Sequence, residues 1–140
     1  MRLTLMTDYA LRLLMFVASK KEGELSSISE VANVFAISEN HLMKITHLLG
    51  QAGWLATVRG RGGGIRLAMD ADEINLADVV KAMEPDFNLV SCFESNSNCS
   101  ISKSCRLAGI VDDALGEFLN HLEKFTLADV IPKKEVAQLI

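Results

Sequence analysis

The chemistry open to this chain centres on its three cysteines, Cys92, Cys99 and Cys105, in the spacing Cys92-x6-Cys99-x5-Cys105. An odd, clustered set does not suit a disulfide framework and is better read as metal or redox ligands. Thiolates are soft donors suited to iron–sulfur clusters and to zinc. The paired Cys-x2-Cys knuckles of structural zinc sites are missing. So is the Cys-x2-Cys with βαβ pattern of thiol oxidoreductases. Three sulfurs leave a four-coordinate site one ligand short, and Arg106, Leu107, Ala108 and Gly109 supply none. The fourth group must come from elsewhere. A helix beginning near Cys105 would set its positive end beside the sulfur or a cluster, which suits negative charge there.

A second set of polar residues has the spacing of a DNA reader. In a helix-turn-helix the second helix enters the major groove and offers its N-terminal side chains to base edges. Here Ser38 caps a helix from Glu39 to about Gln51 that presents Asn40, His41, Lys44 and His47. Asn40 can pair with adenine, and Lys44 can reach guanine or phosphate. Downstream, Arg59, Arg61 and Arg66 flank Gly60, Gly62, Gly63 and Gly64. A Gly-rich hairpin carrying arginines suits phosphate contact or a narrow minor groove.

These groups need elements to position them. Thr7 is expected to cap a first helix reaching about Lys21, with Tyr9, Leu11, Leu13, Leu14, Phe16 and Val17 on it. Ser27-Ile28-Ser29-Glu30 has the spacing of a capping box, opening a short helix through Val31, Ala32, Val34 and Phe35. Ala36 and Ile37 form a tight connection. The third helix places Leu42, Ile45, Leu48 and Leu49 on its apolar face, and alternating strands Gly53–Arg59 and Ile65–Ala68 form the wing. Beyond Asp70, a helix carrying Leu76, Val79, Val80 and Met83 is stopped by Pro85. Residues 86–104 form a polar loop. From about Lys103 to Phe125, Leu107, Val111, Ala114, Leu115, Phe118, Leu122 and Phe125 share one stripe. The fold is therefore mainly α: a winged helix-turn-helix with a two-stranded wing and a long C-terminal dimerisation helix. Its expected divisions are 1–70 for DNA binding, 71–102 for the connecting helix and cysteine loop, and 103–140 for the dimerisation helix and C-terminal segment. A long apolar helix outside a small domain buries itself against a partner, so a two-fold homodimer through residues 103–126 is expected.

Composition agrees with a single small globular unit of 140 residues, 49% hydrophobic. The net charge of −4 is unevenly spread. Residues 1–69 hold eight Lys/Arg against five Asp/Glu, and residues 70–140 hold six against thirteen. The first half can face phosphate. No apolar run of about 18 residues predicts a membrane span, and the start lacks the pattern of a signal peptide, so a cytoplasmic protein is expected. No Ser/His/Asp set, phosphate-binding Gly loop or paired catalytic carboxylates point to an enzyme. Within DNA binders two readings stay open from the residues alone: a cluster-bearing sensor, or a zinc-bound or metal-free module controlled by a partner protein.

Taken together, the motifs resemble the bacterial winged-helix regulators that include nitric-oxide-sensing NsrR and the cluster-biogenesis regulator IscR. The likeness rests on Thr7-Asp8-Tyr9-Ala10-Leu11-Arg12, Ser27-Ile28-Ser29-Glu30-Val31, Asn40-His41-Leu42-Met43-Lys44-Ile45 and Val58-Arg59-Gly60-Arg61-Gly62-Gly63-Gly64-Ile65-Arg66-Leu67. It extends through Asp78-Val79-Val80, Glu84-Pro85, the three cysteines and Thr126-Leu127-Ala128-Asp129. IscR-type members place a histidine three residues after the last cysteine, where this chain has Ala108. NsrR-type members carry an aspartate near the start of the first helix, matching Asp8. The resemblance therefore implies a DNA-binding repressor of operator sites. In it an iron–sulfur cluster, [4Fe–4S] rather than [2Fe–2S], is held by Cys92, Cys99 and Cys105 of one subunit and Asp8 of the other. Nitric oxide is the implied signal, with iron or cluster supply as the alternative. Arg12, one turn beyond Asp8, would orient it or offset cluster charge.

Overall fold

Helix α1 (Leu5–Ser19) starts earlier than the sequence reading places it. Its N-cap is Thr4, whose hydroxyl accepts the Thr7 N–H, and Thr7 is fully buried inside the first turn. Both threonines suit a cap by composition. A carboxylate from elsewhere in the fold accepts from both, from the Thr4 N–H and hydroxyl and from the Thr7 hydroxyl. The computed structural model describes residues 2–21, 23–93, 99–101 and 104–132.

The helix-turn-helix follows the local chemistry closely. In α2 (Ile28–Phe35) the capping box forms in both directions: the Ser27 N–H donates to Glu30 Oε2 at 2.6 Å and the Glu30 N–H to Ser27 Oγ at 3.1 Å. That backbone donor holds the Glu30 carboxyl below the usual carboxylate range. Ala36 then turns the chain in the left-handed region, φ 53°, with its N–H on the Ala32 carbonyl. Ser38 caps α3 (Glu39–Gln51), its Oγ accepting the His41 N–H at 3.3 Å. Leu42, Ile45 and Leu49 are buried as expected, but Leu48 is 37% exposed and Thr46 sits in the core instead. At 100° per residue Leu48 falls roughly 120° round the helix from Leu42, whereas Thr46 falls about 40° from it.

Strands β1 (Leu55–Val58) and β2 (Gly64–Leu67) pair antiparallel, Leu55 opposite Leu67 and Val58 opposite Gly64. The hairpin is tied down at its base. Ser26 donates its N–H to the Ile65 carbonyl at 2.9 Å, and Ile65 returns its own to Ser26 at 2.8 Å. This approach requires Gly64, because a Cβ there would lie 2.6 Å from the Ser26 carbonyl oxygen. At the tip Gly60 and Gly62 take φ values of 101° and 78° that favour glycine.

Helix α4 (Leu76–Met83) ends at Glu84, ahead of Pro85, and a short turn at Ser91–Phe93 carries Cys92. Helix α5 spans Arg106–Leu122 and the one-turn α6 Leu127–Val130. Lys103, where the sequence reading begins the last helix, lies outside the described residues, as do 94–98 and 102 of the expected cysteine loop and 133–140 of the expected C-terminal segment. The core runs across the expected divisions at 70/71 and 102/103. Ile74, Val79, Met83 and Leu127 share one cluster with Leu13, Leu14, Val31, Leu42, Ile45 and Ile65. Leu127 is fully buried because α6 folds back: its N–H reaches the Ile74 carbonyl at 2.8 Å, and Leu76 donates to Phe125 at 3.1 Å. Helix α5 itself buries none of its residues fully. Among the described residues no helix is long and apolar enough to cross a membrane.

The glycines divide into those the fold requires and those it does not. Gly64→Ala is expected to lower stability by about 1–3 kcal/mol, since the added methyl must displace backbone. Gly109→Ala, in open space on α5, is expected to leave stability unchanged or raise it by about 0.5–1 kcal/mol. Chemical denaturation of the two variants side by side checks the contrast.

Candidate nucleic-acid interface and metal centre

The helical geometry of α3 sorts the candidate DNA contacts. Asn40, Lys44 and His47 are exposed on the side opposite Leu42, Ile45 and Leu49, and Gln51, which the sequence reading passed over, continues the same stripe. His41 stands to one side of it, its ring 6.3 Å from that of Tyr9 on α1. The Ser38 hydroxyl is engaged as the cap of α3, and its hydrogen remains free to be donated outward. At the wing, Arg59 and Arg61 occupy the exposed tip. Arg66 is set back in β2 opposite Ala56, with its Nη1 on the Leu67 carbonyl at 3.1 Å. It borders a cleft shared with Lys20, Lys21, Glu24 and Asp70. The two tip arginines and the α3 stripe thus form the exposed cationic and polar surface, with Arg66 behind it.

All three cysteines are free; Cys92 and Cys105 are half-buried and Cys99 is exposed. Cys92 sits in the Ser91–Phe93 turn and Cys105 is the N-cap residue of α5. Among the described residues no three His, Cys, Asp or Glu side chains are gathered closely enough to hold a metal ion. The donor set nonetheless fits iron in kind: three accessible soft sulfurs on one connection and, on α1, one carboxylate.

That carboxylate is Asp8, in the first turn of α1. Arg12 grips it as a fork, Nε to Oδ1 at 3.1 Å and Nη2 to Oδ2 at 2.9 Å. The Asp8 side chain remains 40% exposed and open to a further ligand. An exposed pair of this kind contributes at most about 1 kcal/mol, so it orients Asp8 without sequestering it. Arg12 in turn lies with its Cζ 6.0 Å from the centroid of Phe35 in α2. Phe35 meets Phe16 of α1 edge-on, with centroids 6.1 Å apart. Asp8 therefore sits on a helix whose neighbouring residues touch both helices of the DNA-reading motif.

Residues 3–133 match Rrf2, described as an iron-dependent transcriptional regulator. The chain belongs to the Rrf2 family. Within it, the chain is 50% identical to the HTH-type transcriptional regulator NsrR of Bacillus subtilis (strain 168), covering 96% of this chain and 93% of that protein. It is 46% identical to the NsrR of Shouchella clausii (strain KSM-K16), over 94% and 89% of the two chains. Among solved structures, the Rrf2 fold recurs in CymR, the global cysteine regulator of B. subtilis, with a TM-score of 0.70 at 24% identity over 94% and 96% of the chains. It recurs again in T. potens IscR, with a TM-score of 0.70 at 22% identity over 92% and 85%. These likenesses establish the winged-helix architecture and a transcriptional regulator rather than an enzyme, as the sequence motifs imply.

Sequence reasoning gives Glu84 no role of its own. It enters there only beside Pro85 in the family likeness, yet its carboxylate accepts from Thr4 and Thr7 across the fold. No local pattern signals a bond spanning about eighty residues. For the Rrf2 interface the separation of roles gives a direct expectation. Lys44→Ala should weaken operator binding across sequences and reduce the log–log salt slope by about 1. Asn40→Ala should cost about 1–3 kcal/mol at its preferred site and relax selectivity at one base pair. Fluorescence anisotropy at several salt concentrations reads both.

Proposed function

We propose that this Rrf2 protein is a homodimeric repressor whose operator affinity is set by an iron–sulfur cluster and abolished by nitric oxide. Cys92, Cys99 and Cys105 of one subunit and Asp8 of the other would hold the cluster, [4Fe–4S] in preference to [2Fe–2S]. What the cluster supplies is iron that reacts directly with nitric oxide. The single observation carrying this reading is the placement of Asp8. It is accessible in the first turn of the helix that touches α2 through Arg12 and Phe35 and α3 through Tyr9 and His41. A carboxylate is the hardest and most labile of the four donors. Asp8 would hold the cluster from the partner's side and so restrain α1 from outside, while Arg12 orients its carboxylate within the subunit.

The dimer reading is supported by α5. Leu107 and Ile110 are 61% and 60% exposed. Together with Ala114 and His121 they line one side of a helix that buries none of its residues fully within its own subunit. Operator half-sites lie about 34 Å apart, so a small rotation between two such subunits decides whether both recognition helices dock.

One observation favours a second reading within the same fold: the family description names iron dependence. A sensor of iron or cluster supply would use the same donors and lose DNA binding on chelation instead. Ala108 stands where the IscR-type histidine would be, which tilts the balance to nitric oxide.

Anaerobic reconstitution followed by nitric oxide titration decides between them. Cluster absorbance and operator binding should fall together at a few equivalents per cluster. Retained DNA binding after the absorbance is fully lost would sink the sensor assignment. In the same assay Asp8→Ala should keep its iron and sulfide while its DNA binding ceases to depend on the cluster. A variant with an unaltered spectrum and response would remove Asp8 from the ligand set.

A further inference from the structure

Glu84 ends α4, and Pro85 directly after it starts the segment that leads to Cys92. Its Oε1 accepts the Thr4 backbone N–H at 2.8 Å, the Thr4 hydroxyl at 3.2 Å and the Thr7 hydroxyl. Thr7 is fully buried. The Thr4 and Thr7 hydroxyls also lie 3.2 Å apart, closing the set. Thr4 is at once the cap of α1 and the acceptor of the Asp8 backbone N–H, at 3.0 Å. One carboxylate oxygen therefore fastens the turn that presents Asp8 to the root of the cysteine-bearing segment in the same subunit.

The arrangement is more specific than a helix cap. A serine or threonine cap suffices to start α1, and Thr4 already provides it. Glu84 adds a long-range anchor with a charged acceptor. Such bonds are shorter and about twice as strong as neutral ones. The charge also faces the positive end of α1. Beside the clamp runs a groove of about 560 Å³ lined by Leu3, Phe87, Leu89, Leu115 and Phe118. Residues 85–89 line this groove, and the Glu84 bonds to Thr4 and Thr7 tie its edge to the first turn of α1.

We propose that Glu84 is the positioning residue that makes the Asp8 turn and the cysteine segment of one subunit move as a unit. This rests on the cluster reading given above. Under that reading each subunit lends Asp8 to its partner's cluster and its cysteines to its own. The Glu84 clamp then joins the two clusters' ligand sets within every subunit, and a change at one is passed to the other and to α3.

The test uses the full-length protein, reconstituted without oxygen, with Glu84→Ala, Glu84→Gln and Thr7→Val. The first readout is the ratio of operator affinities with and without cluster. The second is amide hydrogen exchange in the first turn of α1 in the metal-free protein. Glu84→Ala should retain parental iron and sulfide content, lose about tenfold in the affinity ratio, and exchange its first-turn amides at least tenfold faster. Glu84→Gln, which keeps an acceptor oxygen, should recover most of both. Thr7→Val keeps the buried volume and removes one donor, so it should lie between, and it carries the same readouts if the alanine variant fails to fold. An unchanged affinity ratio in Glu84→Ala or Thr7→Val, despite faster exchange, would overturn the proposal. So would a glutamine variant no better than alanine. A parent protein whose operator affinity is the same with and without cluster would instead sink the cluster reading itself, and the proposal with it.

Discussion

Leu13 and Leu14, with no exposed surface, pin α1 between α3, α4, β2 and α6. Ala10 is equally buried, and Phe16 and Val17 nearly so. Each buried leucine contributes about 1.5–3 kcal/mol, which seats α1 firmly in the core. Its rigidity has a mechanical consequence. Interiors packed like crystals do not absorb a shift locally, so a rotation of α1 must be taken up by the elements it touches. Asp8 and Arg12, on successive turns of this buried helix, keep 40% and 46% of their side chains exposed. Arg12 itself lies over Phe35, and Tyr9 beside Asp8 meets His41. The turn that carries Asp8 at one end and α3 along one side are thus joined by a single stiff rod.

The parts legible in the sequence were those decided within a few residues. The Ser27–Glu30 capping box, the Ser38 cap, the bounds of α3 and the glycine-rich wing all depend on neighbours three or four positions away, and they formed where local chemistry places them. Reading failed where a distant group decided the outcome. Thr4 and Thr7 both suit a cap by local rules, and the Glu84 carboxylate that bonds both lies about eighty residues away. Leu48 and Thr46 exchanged places because burial follows the angle around α3 rather than residue type. The return of α6 was hidden for a similar reason. Leu127 fills a space left by Ile74 and α1, and the sequence near it gives no sign of that vacancy.

The cysteines show a different boundary. Their number, spacing and position at the start of α5 are plain in the sequence, and so is their chemistry. Their convergence is not a property of the chain alone, because three sulfurs attract a cation and not one another. The carboxylate that would complete the set was reached by resemblance, and structure adds what resemblance could not: its Arg12 fork, its exposure and its route to α2 and α3.

The mounting of α5 bears on why a sensor would sit where these cysteines are. At its C-terminal end the helix is held firmly. Asn75 Nδ2 donates to the Glu123 carbonyl at 2.8 Å, Lys81 Nζ meets the Glu123 carboxylate at 2.7 Å, and Leu127 is sunk in the core just beyond. At its N-terminal end the cap residue is Cys105, whose side chain makes no capping bond. Leu107 and Ile110 stand largely in the open there. Apolar surface of that kind is normally covered by another molecule. A rod fixed at one end moves most at the other, so any force applied through Cys105 acts where the helix yields most easily. Placed near Leu127, the same thiol would pull against close packing and move nothing. Under the cluster reading, a bond to the Cys105 sulfur would therefore act at the end of α5 that its own subunit covers least among the described residues.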